Sequence, residues 1–442
     1  MRVQPRGIPA RGYLFLNHNK PPGHQKAVNR MKNALQRVGA VLSRKEILSL
    51  CLMILTADIV AGIIQPSFSL FATSLSASLA LIGSLAAIEG LTRIVSSVPV
   101  GILSDIRGRK DVMTGGMLCF GLAAFLLTFV QNPYWLFPMR ILIGLAMVAT
   151  FFVGVAYIGD IVSERDRGLV IGLYTTFMGS GFALGSAIGG QVASHWSYAA
   201  SFRVAALVAL AGCLIGRWGL ASPEQMPAKS VPAPDAPPPP SRWSLLRDHK
   251  IAAASIANLG NNMWYSGLVA SFFALYADSL GIGQAAIGTM FALRALMSAS
   301  ARLPTGVFSS RISPRKLMIA ALGLAAAAIV AISGSADATL LTVLLAIEGV
   351  AYGMFLTSGQ AYVTQNSSEE TRGAAVGIYS TAGGIGSTGG PFILGLIAQQ
   401  WGLQAVFWAM AVMIVVCIAA VLWLANGGKL PLHRRSTSVV SG

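Results

Sequence analysis

The sequence predicts an all-α membrane protein with twelve transmembrane helices, arranged as two six-helix bundles that repeat in parallel. Three observations predict this fold class: the composition, the spacing of the apolar runs and an internal repeat. Of the 442 residues, 54% are hydrophobic and only 11% are charged, and the mean hydropathy is +0.66. A soluble core of this size needs far fewer apolar side chains, so the composition indicates a chain that lies in a membrane.

Apolar runs of membrane-crossing length recur along the chain. Each holds about 18–25 residues and is bounded by polar residues, glycine or proline. The runs are predicted to be helical because the bilayer core offers the backbone no water, and because the sequence lacks the alternating pattern of a transmembrane barrel. The twelve runs are 47–70, 81–103, 112–130, 135–160, 168–192, 200–219, 251–277, 285–309, 317–335, 339–362, 373–397 and 404–425.

Basic residues lie on one side of these runs, which predicts the orientation of the chain. Lys and Arg, which give a net charge of +16, concentrate in the N-terminal segment, the linker, the tail and alternate loops. The loops without Lys or Arg are 72–80, 131–135, 193–199, 278–284, 334–338 and 398–403. By the positive-inside rule both termini and the linker are cytoplasmic, and we expect a bacterial plasma (inner) membrane. The basic charge therefore indicates topology and argues against binding of nucleic acid.

The chain is predicted to have five segments. A basic cytoplasmic N-terminal segment (1–46) precedes the N-terminal bundle (47–220), and a proline-rich cytoplasmic linker (221–250) leads to the C-terminal bundle (251–425) and a cytoplasmic tail (426–442). The linker contains PAPDAPPPP, which can neither cross a membrane nor build a core. We expect the protein to act as a monomer in the lipid bilayer.

The N-terminal segment has three interpretations. The first 45 residues hold ten Lys or Arg and no Asp or Glu. Residues 1–30 are a targeting segment, an arm that binds anionic lipid, or sequence upstream of a true start at Met31. We favour the third, because the residues from Met31 onward resemble an ordinary short cytoplasmic tail before the first span.

The second half of the chain repeats the first at a constant shift of 205 residues. The aligned pairs include Pro99/Pro304, Gly144/Gly349, Tyr157/Tyr362, Arg167/Arg372, Tyr174/Tyr379, Gly190/Gly395 and Trp196/Trp401. Because each half has six spans, both copies start on the same side of the membrane, so the repeat is parallel. Two similar bundles around a central cavity are the plan of a transporter that works by alternating access.

The loop after the second span carries a specific motif, GILSDIRGRK at 101–110. It resembles the signature loop of the major facilitator superfamily, Gly-x-Leu-Ala-Asp-Arg-x-Gly-Arg-Lys, with departures at Ser104 and Ile106. The resemblance extends over residues 47–425. The residues that match are Gly101, Leu103, Asp105, Gly108, Arg109 and Lys110.

This resemblance implies a cytoplasmic gate. In the family the loop acid contacts the start of the eleventh span, here near Gly373, and so holds the two bundles together on the cytoplasmic side. Asp105 would make that contact through the positive end of the helix. Arg109 would meet an acid at the inner end of the fourth span, for which Asp160 and Glu164 are the candidates. In the second copy of the loop, Ser310 stands in place of the acid, so the gate is predicted to be one-sided.

The fifth span, GLYTTFMGSGFALGSAIGG, has a run of spaced glycines. It resembles the antiporter motif of drug/proton exporters, although Ser186 stands where that family has proline. We expect these glycines to let helices of opposite bundles approach, while generic packing of small residues is the alternative. The predicted packing residues are Gly172, Gly181, Gly185, Gly189 and Gly190 in the fifth span, with Gly386, Gly390 and Pro391 in the eleventh.

Ionisable residues within the spans are candidates for coupling, because each is costly against lipid. Glu89 and Arg93 are four residues apart and are predicted to neutralise each other. Asp58 has no base within a turn, which suits a carboxylate that binds the coupling proton. Glu348 is a second candidate and a possible counter-charge for a cationic substrate, and Arg140 could pair with either acid. Other basic residues, nearer the span ends, are Arg203, Arg217, Arg294 and Arg302.

The seventh span contains the polar and aromatic stretch NLGNNMWYSG. Its side chains are predicted to line a substrate cavity, with hydrogen bonding between helices and an interfacial aromatic belt as the alternatives. The residues are Asn258, Asn261, Asn262, Trp264 and Tyr265.

These observations predict a proton-coupled exporter of small amphipathic or cationic molecules. An uptake symporter or facilitator for sugars or organic acids is the alternative, which Ser186 keeps open. No cofactor or metal is expected, because the four cysteines lie in apolar spans without a Cys/His cluster, and an enzyme is not expected, because the five histidines lie outside the spans and far apart.

Overall fold

The apolar runs of the chain form long helices in the computed structural model, which describes residues 36, 38–221, 245, 248–309, 311–368 and 371–425. The chain divides into two units, Met1–Arg44 and Lys45–Gly442. The first unit is described only at residues 36 and 38–44, with a short helical stretch at 38–42. The three interpretations of residues 1–30, the position of Ser310, most of the linker and the tail all lie outside the described residues. The predicted division into five segments therefore stays a prediction.

Six long helices make up the first half of the second unit. Proline lies inside α1 and α2, and a π-helical segment, Val148–Phe152, interrupts α4. The helices are α1 (Lys45–Ser74), α2 (Leu79–Arg107), α3 (Arg109–Leu127), α4 (Pro133–Ile161), α5 (Glu164–His195) and α6 (Tyr198–Gly219).

The second half follows the same order. Its first helix, α7, has three parts, an α-helix His249–Asn262, a π-helix Met263–Phe272 and an α-helix Phe273–Ser279. The others are α8 (Gln284–Phe308), α9 (Pro314–Ser333), α10 (Ala338–Gln365), α11 (Arg372–Trp401) and α12 (Leu403–Ala425).

The described residues confirm an all-α fold, and nine of their helices are long and apolar enough to cross a membrane. The three helices outside that set are α7, which is divided into short parts, α8 and α11. A helix with polar or broken segments is tolerated in a membrane where protein or a cavity surrounds it. Twelve crossings therefore remain the prediction for the complete chain.

Helix packing repeats between the halves. A methyl group added at Gly144 would lie 3.0 Å from the carbonyl oxygen of Glu89, and one added at Gly349 would meet the carbonyl of Arg294. Helix α4 therefore approaches α2 at Gly144, and its counterpart α10 approaches α8 at Gly349. The two glycines are 205 positions apart, and so are the two residues that they contact. Small residues allow this close approach of backbones in membranes.

Within the described residues, the two halves pack against each other from one end of the helices to near their middle, where a methyl group added at Gly90 would lie 2.8 Å from the carbonyl oxygen of Ser387. A methyl group added at Gly190 of α5 would lie 2.8 Å from Cα of Gly288 in α8, and one added at Gly395 of α11 would lie 2.9 Å from Cα of Gly83 in α2. These contacts lie far from the basic end, which we define as the end of the helices where Arg107 lies. Methyl groups added there at Gly101, Gly172 or Gly377 would meet no atom within 4 Å.

Candidate functional site

A cavity of about 280 Å³ lies between the two halves. Helices α1, α2, α4 and α5 of the first half and α7, α8 and α10 of the second supply its wall. Both π-helical segments contribute aromatic side chains, Phe151 and Phe152 from α4 and Tyr265 from α7. Such segments replace the regular hydrogen-bond pattern of a helix and often occur at functional sites.

Asp58 of α1 lines this cavity. Its side chain makes no ion pair or hydrogen bond with the described part of the chain, and the residue is 8% exposed. Arg302 of α8 lines the same cavity and is near enough to act on Asp58 electrostatically. Asp58 is thus a carboxylate that faces a cavity without a bound partner, as its sequence position suggested.

Arg140 pairs with neither Asp58 nor Glu348, so both pairings suggested by the sequence are wrong. Its guanidinium is buried, donates to the carboxylate of Glu89 and lies 3.5 Å from the centre of the Phe68 ring. Arg93 is 4.0 Å from the other oxygen of Glu89. Sequence spacing suggested Arg93, on the same helix, as the partner of Glu89. In the fold, Arg140 of α4 lies closer to the Glu89 carboxylate than Arg93 does.

Glu348 is fully buried and lies outside the cavity wall, so it cannot meet a substrate in this conformation. Its Oε1 accepts hydrogen bonds from Nη2 of Arg294 at 3.0 Å and from Nε1 of Trp264 at 2.7 Å, and Oε2 accepts from Nε of Arg294. The protein therefore supplies three donors to this carboxylate, two from Arg294 and one from Trp264. The predicted role of counter-charge for a cation is wrong for this state.

One member of each buried ion pair is related to a member of the other pair by the internal repeat, with the charge reversed, whereas the partners Arg140 and Glu348 occupy different repeat positions. Glu89 and Arg294 are 205 residues apart, and each pairs with a residue on the helix that packs against it, Arg140 on α4 and Glu348 on α10. Because a lone buried charge is costly, each pair neutralises one of its bundle's membrane-embedded charges. Asp58, Arg93 and Arg302 are left as the weakly compensated charges of the cavity.

Only Tyr265 of the five polar or aromatic residues predicted on the seventh span lies in the cavity wall. Asn258 donates to the carbonyl oxygen of Tyr379 in α11 at 2.8 Å, and Asn262 donates back to Asn258 within α7. Asn261 is fully buried, and so is Trp264. The substrate-cavity prediction is therefore wrong for these four, because their side chains are buried in the protein or bonded to it, and hydrogen bonding between helices describes Asn258.

Tyr352 of α10 is a cavity residue that the sequence did not indicate. Its ring stacks on that of Tyr265, with centroids 4.6 Å apart and planes 28° apart, and the guanidinium of Arg294 lies 4.9 Å from its centre. Nothing distinguishes this tyrosine from others in the apolar spans. Arg302 could have been found from the sequence, because it is a charged residue within a span, but its position near the span end left it outside the predicted site.

The residues of the predicted gate form a cluster within the first half. Arg109 donates to Asp160 at 3.1 Å, contacts Asp105 at 2.6 Å and also donates to Ser104. Of the two acids that the sequence offered, Asp160 is thus the partner. Lys110 is buried at the start of α3, and Gly108 has a φ of +93°, a conformation that favours glycine. Asp105 is 55% exposed, and a methyl group at Gly373 would meet no atom within 4 Å.

The glycines of α5 pack mainly against α1 of the same half. Methyl groups added at Gly181, Gly185 and Gly189 would collide with the backbone of α1 around Leu55, Ile59 and Ile63, and the one at Gly181 would lie 3.0 Å from Cβ of Asp58. In α11, Gly386 and Gly390 pack on α7, and Pro391 instead faces Gly83 of the opposite half. The expected contact between opposite halves is therefore absent at Gly185 and Gly390, which pack within their own halves, and is present at Gly190.

We expect Gly185→Ala to lower the stability of the folded protein by about 1–3 kcal/mol, because the methyl group would lie 2.8 Å from Cα of Ile59 in a closely packed contact. Gly172→Ala is the matched control in the same helix, since its methyl group meets no atom within 4 Å. Thermal unfolding of the two purified variants measures the difference. Equal stabilities of the two variants would contradict the prediction that the close contact at Gly185 requires glycine.

A larger groove of about 750 Å³ lies between α3 and α6 and is a different feature. Its lining is apolar except for Arg203. It holds no cluster of ionisable groups, so the chemistry of the molecule is concentrated in the smaller central cavity.

A family model identifies the chain. The model of the Major Facilitator Superfamily matches residues 50–274 and 261–439. The chain belongs to the major facilitator superfamily. Members of this superfamily are transporters rather than enzymes, and the chain is therefore a multi-pass membrane protein that transports small molecules.

The similar proteins are named for different transport functions. An uncharacterised transporter of this superfamily from Methanocaldococcus jannaschii is 23% identical over 80% of this chain and 92% of its own. The inner membrane metabolite transport protein YgcS of Escherichia coli is 26% identical, over 76% and 81%. The multidrug resistance protein MdtG of Klebsiella pneumoniae is 25% identical, over 76% and 79%.

Solved structures of this superfamily share the fold. A bacterial homologue of the human lysosomal transporter Spinster, in an inward-facing and occupied conformation, has a TM-score of 0.72 at 15% identity, covering 86% of this chain and 96% of its own. The nucleoside transporter NupG has a TM-score of 0.70 at 16% identity, covering 86% and 99%. At these identities the likeness establishes the fold alone.

Proposed function

We propose that this superfamily member is a proton-coupled secondary transporter that works by alternating access, and that Asp58 binds the coupling proton. The observation that carries the proposal is the unpaired carboxylate of Asp58 in the cavity between the halves. A carboxylate that faces a shared cavity can exchange a proton with either side as the halves rock. Arg140 and Glu348 hold buried ion pairs instead and support the bundles.

The cycle that we propose starts from a conformation open at the basic end. If the basic end is cytoplasmic, as the positive-inside rule predicts for a bacterial inner membrane, this is the inward-facing state. Contacts at Gly190 and Gly288, and at Gly83 and Gly395, close the opposite end. Asp105 would reach the start of α11 only when the basic end closes. A disulfide cross-link between Asp105→Cys and Gly373→Cys, trapped in a minor fraction of molecules, tests this gate.

Export of small amphipathic or cationic molecules in exchange for protons is the first candidate direction. It is supported by the antiporter-like glycines of α5, because Gly181 places α5 directly against Asp58 and Gly185 extends the same contact. In such an exchange the proton and a cationic substrate exclude one another at a single carboxylate.

Uptake of organic acids together with protons is the second candidate. The observation that favours it is the presence of Arg93 and Arg302 in the cavity wall, each with an Nε that finds no acceptor in the described residues. An acid would supply those acceptors, whereas a cation would be repelled by them.

Proton movement on substrate binding tests the proposal. A drug-susceptibility and accumulation screen in a host that lacks its own exporters supplies the substrate. The protein in detergent is then mixed with that substrate in weakly buffered solution. Proton release indicates exchange and proton uptake indicates co-transport, and either supports coupling. No proton movement in the wild-type protein would leave a facilitator and overturn the proposal.

A further inference from the structure

We infer that the central cavity binds an organic anion with an apolar, aromatic body, and that Arg302 is the group that recognises its carboxylate. The inference rests on the proposed function only in taking this cavity as the transport site. It concerns the chemical class of the substrate, which neither the family nor the similar proteins assign.

The first argument is the balance of charge around the cavity. The charged groups in the cavity wall and their buried partners are four arginines, Arg93, Arg140, Arg294 and Arg302, and the three carboxylates of Asp58, Glu89 and Glu348. The two buried ion pairs consume two charges of each sign, so the charges that remain are Arg93, Arg302 and Asp58. The cavity thus has one excess positive charge when Asp58 is ionised and two when it is protonated. A cation entering this space meets net repulsion, and an anion meets attraction.

The second argument is the unfilled donor capacity of the arginines. Arg302 forms neither an ion pair nor a hydrogen bond within the described part of the chain, and its Nε is buried. The Nε of Arg93 is also buried without an acceptor, while its Nη1 has only Sδ of Met147 at 3.9 Å. Leaving a buried donor of a charged group unpaired is costly. A planar guanidinium matches the two oxygens of a carboxylate, which would satisfy these donors in pairs.

The third argument is the apolar and aromatic surface beside these donors. The stacked rings of Tyr265 and Tyr352 lie in the cavity wall with Phe151 and Phe152. Tyr352 is within electrostatic range of Arg302, Arg93 and Arg294. A flat apolar body can therefore rest on the aromatic rings while its carboxylate reaches the arginines. This combination is the usual composition of a ligand pocket, a mostly apolar wall with a few directed polar groups.

The anion also fixes the sign of coupling. Protonation of Asp58 removes the negative charge that would repel a carboxylate and that acts on Arg302. Proton and anion therefore promote each other's binding, and the two effects are equal by linkage. Substrate and proton would move in the same direction, which favours the second candidate of the proposed function, co-transport, over exchange.

Three ligands of one carbon skeleton test the inference: naphthylacetate, naphthylacetamide and naphthylethylamine. Binding to the complete protein in lipid nanodiscs is measured by calorimetry above pH 6, where a free carboxylate stays ionised. We expect naphthylacetate to bind at least about tenfold more tightly than the amine, with the amide between them, a difference of about 1.4 kcal/mol. Binding of naphthylacetate should tighten as the pH falls.

Arg302→Gln should remove the preference for the carboxylate, and Arg302→Lys should keep part of it because the charge stays while the paired donors are lost. Arg203→Gln is the matched control, since Arg203 lies in the separate groove between α3 and α6. Thermal unfolding of the same samples shows that each variant is folded; a variant that does not fold is replaced by Arg93→Gln, whose predicted effect is the same.

Three results would overturn the inference: tighter binding of the amine, an undiminished preference for the carboxylate in Arg302→Gln, or no binding of any of the three ligands. Failure of the proposed function looks different. If Arg302 selects the carboxylate but Asp58→Asn leaves the pH dependence unchanged, the anion site stands and the proton site is wrong. If Asp58→Asn removes proton exchange but amines bind best, the proton site stands and the anion site is wrong.

Discussion

Asp58→Asn should abolish proton-coupled transport while leaving substrate binding and energy-independent exchange measurable. The amide keeps the size of the side chain and its place beside Gly181, but it cannot take up a proton. Because Asp58 makes no ion pair or hydrogen bond with the described part of the protein, the substitution removes only its electrostatic interaction with Arg302 and should not unfold the protein. We expect transport driven by a proton gradient to fall to the background of empty vesicles.

Proteoliposomes with an imposed pH gradient measure this effect, and counterflow of labelled substrate measures the exchange that should persist. Asp111→Asn is the control, because Asp111 is an exposed acid in the first turn of α3. Gradient-driven transport in Asp58→Asn at the wild-type rate would remove Asp58 from the mechanism. Loss of counterflow as well would assign Asp58 to substrate binding.

Breaking the buried pair of Arg294 and Glu348 should have the largest effect on stability. Arg294→Leu leaves the carboxylate of Glu348 fully buried with only Trp264 as a donor. Removing one partner of a buried ion pair typically costs about 3–5 kcal/mol, most of which is the cost of the charge left behind. We expect a strongly lowered unfolding temperature and a low yield of folded protein.

The double variant Arg294→Leu/Glu348→Leu separates charge from packing. With both charges removed, replacing a buried pair by apolar side chains is often neutral, so stability should recover substantially relative to either single change. Size-exclusion chromatography and thermal unfolding in detergent report both quantities. A Glu348→Gln variant that unfolds at the wild-type temperature and binds cationic substrates more weakly would restore the role of counter-charge that the sequence suggested.

The order of helices could be predicted because each run had to cross a bilayer. About 20 apolar residues are needed to span the hydrocarbon core, and polar loops must separate them. The internal repeat was visible for a related reason. Gly144 and Gly349 approach the backbones of Glu89 and Arg294, and only glycine allows that approach in both halves. Requirements for span length and for small residues at close helix contacts can therefore be read from the sequence.

Only part of the candidate site could be predicted from the sequence. Asp58 stood out because an unpaired acid in an apolar span is costly wherever the helix lies. Spacing along one helix suggested that Arg93 pairs with Glu89, and the two are 4.0 Å apart, but it did not indicate that Arg140 of α4 binds the same carboxylate more closely. The asparagines of α7 failed as cavity residues because the tertiary fold brings Asn258 to the carbonyl oxygen of Tyr379 and buries Asn261, which no local sequence pattern indicated.

The sequence by itself determined the helical membrane class, the repeat and the isolation of Asp58 from any base within a turn of its helix, because these follow from the cost of exposing polar groups to lipid and from residue spacing, and the family resemblance of the loop implied that Arg109 meets an acid such as Asp160. Only the tertiary structure decided which arginines form buried pairs, that Arg302 has no ion-pair partner among the described residues, and which glycines bring the two halves together. The physical reason is that ion pairing and cavity lining depend on contacts between residues about 50 or more positions apart, which hydropathy and local spacing do not specify.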